Sequence, residues 1–347
     1  MLTANQNKVL RKILLMQKSA NLEKPRAKKP QINVGSLDTL AQLRNSNPTN
    51  LQKRAKNKAL TSSFIVGLIN LDSPLKKTYW NTYHCSSEIT QKDNLISAKY
   101  CKNRACLVCN RIRTANYIIG YKAQLDSLTD PYFLTLTKPT IQGDELEQNI
   151  KGMTKTIRKI FDRLRKQNIK PNGIRKLECT YRPKGYFHPH FHLVVETKHH
   201  AELIRNEWLK EYPNAKLSAN DIRPCTDNYV IELMKYFTKL LPNKKSKDQH
   251  INFKALDIIF QSMVSKRVYQ PFGKIRKVKD NEVSSTEYDA TIPAKLTKHV
   301  WKQAIFDWVD IQTAEILSYY QPTEHDRELI KLLKNDKNVS LDKIKLV

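Results

Sequence analysis

Residues 132–137 read YFLTLT between Pro131 and Pro139, a block of aromatic and β-branched types that predicts a buried strand. Downstream, Ile150, Met153, Ile157, Ile160, Phe161 and Leu164 recur at three- and four-residue steps, predicting a helix over 145–166 with one apolar face and a largely basic remainder. Two more strands, 174–182 and 186–196, flank Pro183-Lys184-Gly185. A three-residue hairpin loop ending in glycine fits a type I turn followed by a left-handed residue, and its centre at Lys184 sets Glu178 opposite His190. Over 227–241 an apolar stripe of Val230, Leu233, Met234, Phe237 and Leu241 predicts a helix with Glu232, Tyr236 and Lys239 on its other side. Helical spacing returns at 251–264, at 292–320 through Trp301, Ile305, Trp308 and Ile316, and after Pro322. The succession predicts an α+β fold with an antiparallel sheet and a helical C-terminal part. No internal repeat is visible.

Charge changes the picture next. The 347 residues hold 61 Lys+Arg against 33 Asp+Glu, a formal net charge of +28, so the surface attracts polyanions. Residues 1–60 carry 13 basic and 2 acidic residues, which reads as a flexible basic arm or equally as a solvated linker. The tract 266–279 is again basic and a candidate for holding DNA. No run of about 18 or more uncharged apolar residues exists, and the apolar stretch near the start is short for a secretory signal, so the expectation is a cytoplasmic protein without a membrane partner.

Four of the six cysteines fall between 85 and 109, three of them as C-x4-C-x2-C at Cys101, Cys106 and Cys109. Thiolates at such spacing grip one ion from a tight turn, and Cys85 supplies a fourth sulfur, with His84 in reserve; this predicts structural Zn²⁺. Arg104, Arg111 and Arg113 beside the cluster are candidates for phosphate contact. On the second hairpin strand His188, His190 and His192 share one face, while Phe191, Leu193 and Val195 take the other. With Glu178 they form an open site for Mg²⁺ or Mn²⁺, in which either Glu178 or His188 is the third ligand. Pro189 predicts an edge or bulge position.

The His190-Phe191-His192 strand within FHPHFHLVVE resembles that of the HUH replication initiators. The order FLTLT, His-Pro-His-Phe-His and a Lys-Tyr-x-x-Lys helix, behind a cysteine cluster, is similar to the initiator family of small rolling-circle plasmids over roughly 85–275. The resemblance implies that Tyr236 attacks a phosphodiester, joins itself to the 5′ phosphate and frees a 3′ hydroxyl primer. Its implied partners are plasmid origin DNA, single-stranded or hairpin, and host helicase, single-strand-binding protein and polymerase. A tyrosine hydroxyl, with a free pKa of about 10, needs help as a nucleophile, and Lys239 is placed to stabilise the phenolate. Tyr229, seven residues earlier, is the rival nucleophile. Glu232 is a candidate general base for a terminating hydrolysis.

The expected organisation is therefore a basic arm (1–60), a zinc module (61–115), an HUH endonuclease domain (116–280) and a helical region (281–347). A mobilisation relaxase or single-strand transposase shares this chemistry. A zinc-dependent DNA-binding regulator is the non-enzymatic alternative.

Overall fold

The basic stretch read as an arm is, from residue 48 on, a buried helix. The structure, a computed structural model, describes residues 48–92, 95–234, 251–278 and 296–334, so the arm's residues 1–47 lie outside it. Helix α1 (Pro48–Ile69) buries Ala55, Ala59, Phe64 and Leu68, and with them Arg54 and Lys58. Lys58 Nζ donates to the Tyr83 carbonyl at 2.6 Å and to Ser87 Oγ at 3.2 Å. Burial, opposed by the four nearby cysteines, lowers its pKa to about 8. A charge run reads as solvated in sequence, but partners of this kind let a cation enter a core. Helix α2 (Lys76–Tyr83), strands β1 (Glu88–Lys92) and β2 (Leu95–Ala98), and the long helix α3 (Leu107–Asp126) follow. The boundary expected at 115 falls inside α3, whose far end joins the central core through Tyr121 and Leu125.

The central domain is built on strands β3 (Tyr132–Leu136) and β4 (Ile141–Gln142), helix α4 (Leu146–Lys166), strands β5 (Gly173–Arg182) and β6 (Tyr186–Val195), helix α5 (Lys198–Glu211), strand β7 (Ile222–Pro224), helices α6 (Tyr229–Met234) and α7 (Phe253–Ser262), and strand β8 (Tyr269–Phe272). Its antiparallel sheet has the order β7-β3-β6-β5-β8, with β4 also on β6. The hairpin register is the expected one, Glu178 opposite His190. The turn differs, because Lys184 (φ 62°) and Gly185 (φ 80°) are both left-handed. Pro189 lies in a central strand, not at an edge. Its tolerance has a local cause: β3 pairs β6 only at 191–195 and β4 only at 186–187, so no ladder on that side needs an N–H from residue 189.

On one side of this sheet lie α4 and α5, where Phe191 meets Trp208 at 5.8 Å between ring centroids and the indole N–H donates to the Thr137 carbonyl. On the other side lie α3 and α6: Tyr117 packs on Tyr269 of β8 at 4.9 Å, and Thr114 Oγ1 donates to the Met234 carbonyl.

The C-terminal region corrects the sequence reading most. Of the residues expected as a helix over 292–320, those described hold a hairpin of β9 (Leu296–Lys302) and β10 (Asp307–Asp310), and only the last expected helix, α8 (Glu324–Lys334), is helical. Trp301 and Trp308, seven residues apart, are cross-strand partners with centroids at 4.8 Å. The same interval that two helical turns produce is here the product of pairing across a tight turn. β9 pairs with β1, completing the sheet β10-β9-β1-β2, and α8 contributes Ile330 and Leu333 to the core beneath α1. The N-terminal module and the C-terminal region thus share one core, to which α7 adds Phe253 and Phe260 while sending Ala255 and Ile259 into the central one. Trp308 is fully buried and donates to the Ser86 carbonyl at 2.7 Å. Trp308→Ala is expected to destabilise the protein by about 3–5 kcal/mol, read from the midpoint of urea unfolding. A midpoint within error of wild type would show that the C-terminal hairpin contributes little.

Candidate active site

Two side-chain clusters among the described residues have metal-binding geometry. In the first, Cys85, Cys101, Cys106 and Cys109 bring all four sulfurs within 4.8 Å of one another, with Cys85–Cys109 at 3.5 Å and Cys101–Cys109 at 3.7 Å. A tetrahedral thiolate site with metal–sulfur bonds of about 2.3 Å needs sulfur–sulfur separations near 3.8 Å, so the spacing fits an ion of zinc's preference. Backbone N–H groups of Cys101, Asn103 and Cys109 point at the sulfurs of Cys85, Cys101 and Cys106, the outer shell such a site uses to hold its charge. Cys106 caps the N-terminus of α3, which ties the cluster to the helix. His84 stacks on Trp80 and is not one of the four ligands.

The arginines beside this cluster hold the protein together. Arg104 donates to the carbonyls of Met263 and Lys266, Arg111 to the backbone and side-chain oxygens of Asn50, and Arg113 to Asn110 and the Lys102 carbonyl. Both terminal nitrogens of each guanidinium thus have an acceptor within the chain.

The second cluster is Glu178, His190 and His192 on the β5-β6 pair. His190 Nδ1 lies 3.0 Å from the His188 carbonyl, which can only accept, so Nδ1 carries the hydrogen and Nε2 of the neutral ring is a bare lone pair. Thr135 Oγ1 lies 3.2 Å from His192 Nδ1 and can hold that ring the same way. Both Nε2 atoms face Glu178 Oε2, at 3.4 and 3.6 Å. Three lone pairs converging on one point call for a cation between them, and ligands about 2.0–2.2 Å from an ion sit at such mutual distances. Of the two alternatives for the third ligand, the structure brings Glu178 into the cluster. His188 shares the face, its ring 5.2 Å from that of His190, but lies outside the triad. Burial, then His190 and Arg182, lower its pKa to about 4, so it is neutral at physiological pH. Burial likewise lowers His192. Burial alone raises the Glu178 pKa, but the facing His190 and His192 rings and the charge of Lys176 hold the carboxyl well below the usual range.

Lys176 is the residue that sequence reading missed. It is 3% exposed, ion-paired to Glu178 Oε1, with Nζ 6.0 Å from the Tyr269 ring centre. The signal was available, since a lysine two residues before Glu178 must share its face once the strand is accepted. Arg223 was missed as well. It stacks on Phe133 at 4.7 Å, Phe133 packs on His192 at 5.4 Å, and the guanidinium pairs with Glu232 at 2.7 Å. Glu232 is exposed, as its helical position predicts, while Val230, Leu233 and Met234 are buried. Tyr236 and Lys239 lie outside the described residues. Tyr229, the rival nucleophile, is 8% exposed in the central core, and its hydroxyl has no hydrogen-bond partner. Burial, then Asp126 and Cys225, raise its pKa, the reverse of what a nucleophile needs.

The sequence family described as "Replication protein" matches residues 92–284, which hold the triad and three of the four clustered cysteines. A "Protein rep" of Staphylococcus aureus is 28% identical over 168 residues, covering 43% of this chain and 73% of that protein. A "Protein rep" of Streptococcus pneumoniae (28% over 111 residues) and one of Lentilactobacillus hilgardii (28% over 109 residues) are matched over 30% and 28% of this chain, and over 35% and 33% of their own lengths. The chain thus spans about a third of these two relatives. No solved structure matches. Among the described residues no helix is long and apolar enough to cross a membrane.

Proposed function

The chain belongs to the replication protein family, and on that premise we propose that it initiates plasmid rolling-circle replication by nicking one strand of its origin through Tyr236. The observation that carries this reading is the convergence of Glu178, His190 and His192 on one sheet face. Helix α6 lies on that same side and leads in sequence into Lys235-Tyr236-x-x-Lys239. A divalent ion such as Mg²⁺ or Mn²⁺, when bound, supplies Lewis acidity to the scissile phosphate. The remaining work belongs to the chain. Tyr236 gives up its hydroxyl proton and its oxygen forms a bond to phosphorus; the bond from phosphorus to the 3′ oxygen breaks, and that oxygen takes up a proton to become the 3′ hydroxyl primer. Lys239 stabilises the phenolate. Thr135 and the His188 carbonyl keep both imidazoles in the metal-binding tautomer, and Lys176 fixes the Glu178 carboxylate. The four-cysteine site holds Zn²⁺ as a folding element, outside the chemistry.

Glu232 serves the end of the round: freed from Arg223, its carboxylate takes a proton from the attacking water or hydroxyl, whose oxygen bonds to phosphorus while the bond from phosphorus to the Tyr236 oxygen breaks and that oxygen takes up a proton. Supercoiled DNA carrying the gene's own flanking region, incubated with Mn²⁺ and the full chain, is expected to yield nicked circles with protein attached. Tyr236→Phe is expected to give neither product, and Glu232→Ala to nick normally but accumulate the covalent complex. Unchanged nicking by Tyr236→Phe would overturn the assignment of the nucleophile, and equal loss of nicking and release in Glu232→Ala would remove its special role.

A further inference from the structure

On the sheet face turned away from the triad, a cleft of about 1190 Å³ opens between α4, the loop before β5, and β8. Period-two alternation puts Arg175 there, between Lys176 and Ile174, which face the other way. Every charged residue lining the cleft is a cation. Two of these are engaged, Arg165 with Asp162 and Lys266 with Glu147. Among the described residues, Arg158, Lys170, Arg175, Arg267 and Lys274 have no carboxylate within ion-pair distance. A protein surface normally mixes signs, since clustered like charges repel.

Arg175 is the decisive residue. It is 4% exposed, and its Nε and Nη1 have no hydrogen-bond partner. Its guanidinium lies over the Phe191 ring at 4.4 Å, which engages the cation's face but leaves those in-plane donors unused. Burial, reinforced by the neighbouring Arg158, lowers its pKa to about 10, so it remains charged at neutral pH. A buried guanidinium with free donors and only cations around it is a preformed receptor for an anion with several oxygens.

The cleft also has an apolar wall. Phe161 of α4 and Phe272 of β8 pack at 4.6 Å with planes inclined by 32°. Beyond β8, Gly273 turns the chain with φ +68°, and the Lys274 N–H donates to Asn172 Oδ1 at 2.8 Å. A side chain at 273 would meet Asn172 Oδ1 at 2.2 Å, so the glycine keeps this turn tight and places Lys274 at the rim. The volume exceeds that of pockets for drug-sized ligands, about 300–1,000 Å³, and so suits a polymer better than a single phosphate. Cations along the walls beside an aromatic surface are the elements with which proteins hold single-stranded DNA.

We propose that this cleft is a second DNA-binding site, seating the phosphodiester backbone of a single strand on Arg175 and its flanking cations, on the sheet face opposite the cleavage centre. It grips a segment other than the one being cut, and it stands whether or not Tyr236 is the nucleophile.

The test uses zinc-loaded full-length protein without added Mg²⁺ or Mn²⁺ and a fluorescent thymidine oligonucleotide, with affinity read by anisotropy across a salt series. Arg158 and Lys274 are exposed, so Arg158→Ala/Lys274→Ala leaves the fold intact, and an unchanged melting temperature checks this. Removing two phosphate contacts is expected to weaken binding roughly tenfold and to make the slope of log affinity against log salt shallower by about 1.4. Lys77→Ala/Lys302→Ala removes the same charge from exposed positions outside the cleft and is expected to change affinity far less. Equal losses in the two pairs would reduce the effect to net charge and overturn the proposal. So would unchanged oligonucleotide binding in the cleft pair while inorganic phosphate binding is lost, which would make the cleft a small-anion site.

Discussion

Removing both imidazoles, as His190→Ala/His192→Ala, is expected to lower Mn²⁺-dependent nicking of origin DNA by at least roughly 10²–10³-fold, the scale of losing one preorganised electrostatic contact to a transition state. Isothermal titration is expected to show the loss of Mn²⁺ binding at the same time. The fold should survive, because the core side of β6 is formed by Phe191, Leu193 and Val195, all fully buried. Glu178→Ala should behave differently. It removes both a member of the triad and the carboxylate that is ion-paired to the buried Lys176, and breaking such a buried pair destabilises by about 3–5 kcal/mol. Glu178→Ala/Lys176→Met should regain most of that stability and none of the nicking. Full nicking in the double histidine variant would remove the triad from the chemistry. A Glu178→Ala variant as stable as wild type would show that Lys176 does not depend on it.

Loss of the cysteine site is expected to act on folding. Structural zinc contributes an apparent 10–16 kcal/mol in small zinc-dependent folds, and here the four sulfurs join the turn after α2 to the first turn of α3. Cys106→Ser, at the cap of α3, is expected to release the metal and unfold the shared core of α1, β9 and α8, with a melting transition that is lower and less cooperative. Elemental analysis of wild type should give one zinc per chain. Metal-free wild-type protein melting at the same temperature as the loaded form would refute the site's structural role.

How much of this was legible in advance follows from the range of the forces involved. The β5-β6 hairpin, its register and the histidine face could be read because alternation and a three-residue turn are local constraints, and a one-residue slip would send Phe191 and Leu193 to the wrong face. The cysteine cluster could be read because three of its ligands lie within nine residues. The helix α4 was legible in its apolar spacing, every expected core position but Phe161 being buried. The C-terminal hairpin was misread because Trp301 and Trp308 obey two periodicities equally, and only pairing of β9 with β1, some 200 residues away in the chain, selects one. Tyr229 could not be separated from an exposed nucleophile by spacing alone, since its burial is decided by α3 and the sheet beside it.

The sequence by itself determined the α+β class, the hairpin that aligns Glu178 with His190 and His192, and the four sulfurs, because each is set by contacts a few residues apart or by a turn with one compatible register. Tertiary structure alone decided the rest. It grouped Glu178 with His190 and His192 by bringing Nε2 atoms from one strand against a carboxylate on the next, buried Lys176 and Arg175 on opposite faces of one strand, and returned the C-terminus to the N-terminal sheet. Those outcomes depend on which distant surfaces exclude water together, and no local pattern carries that information.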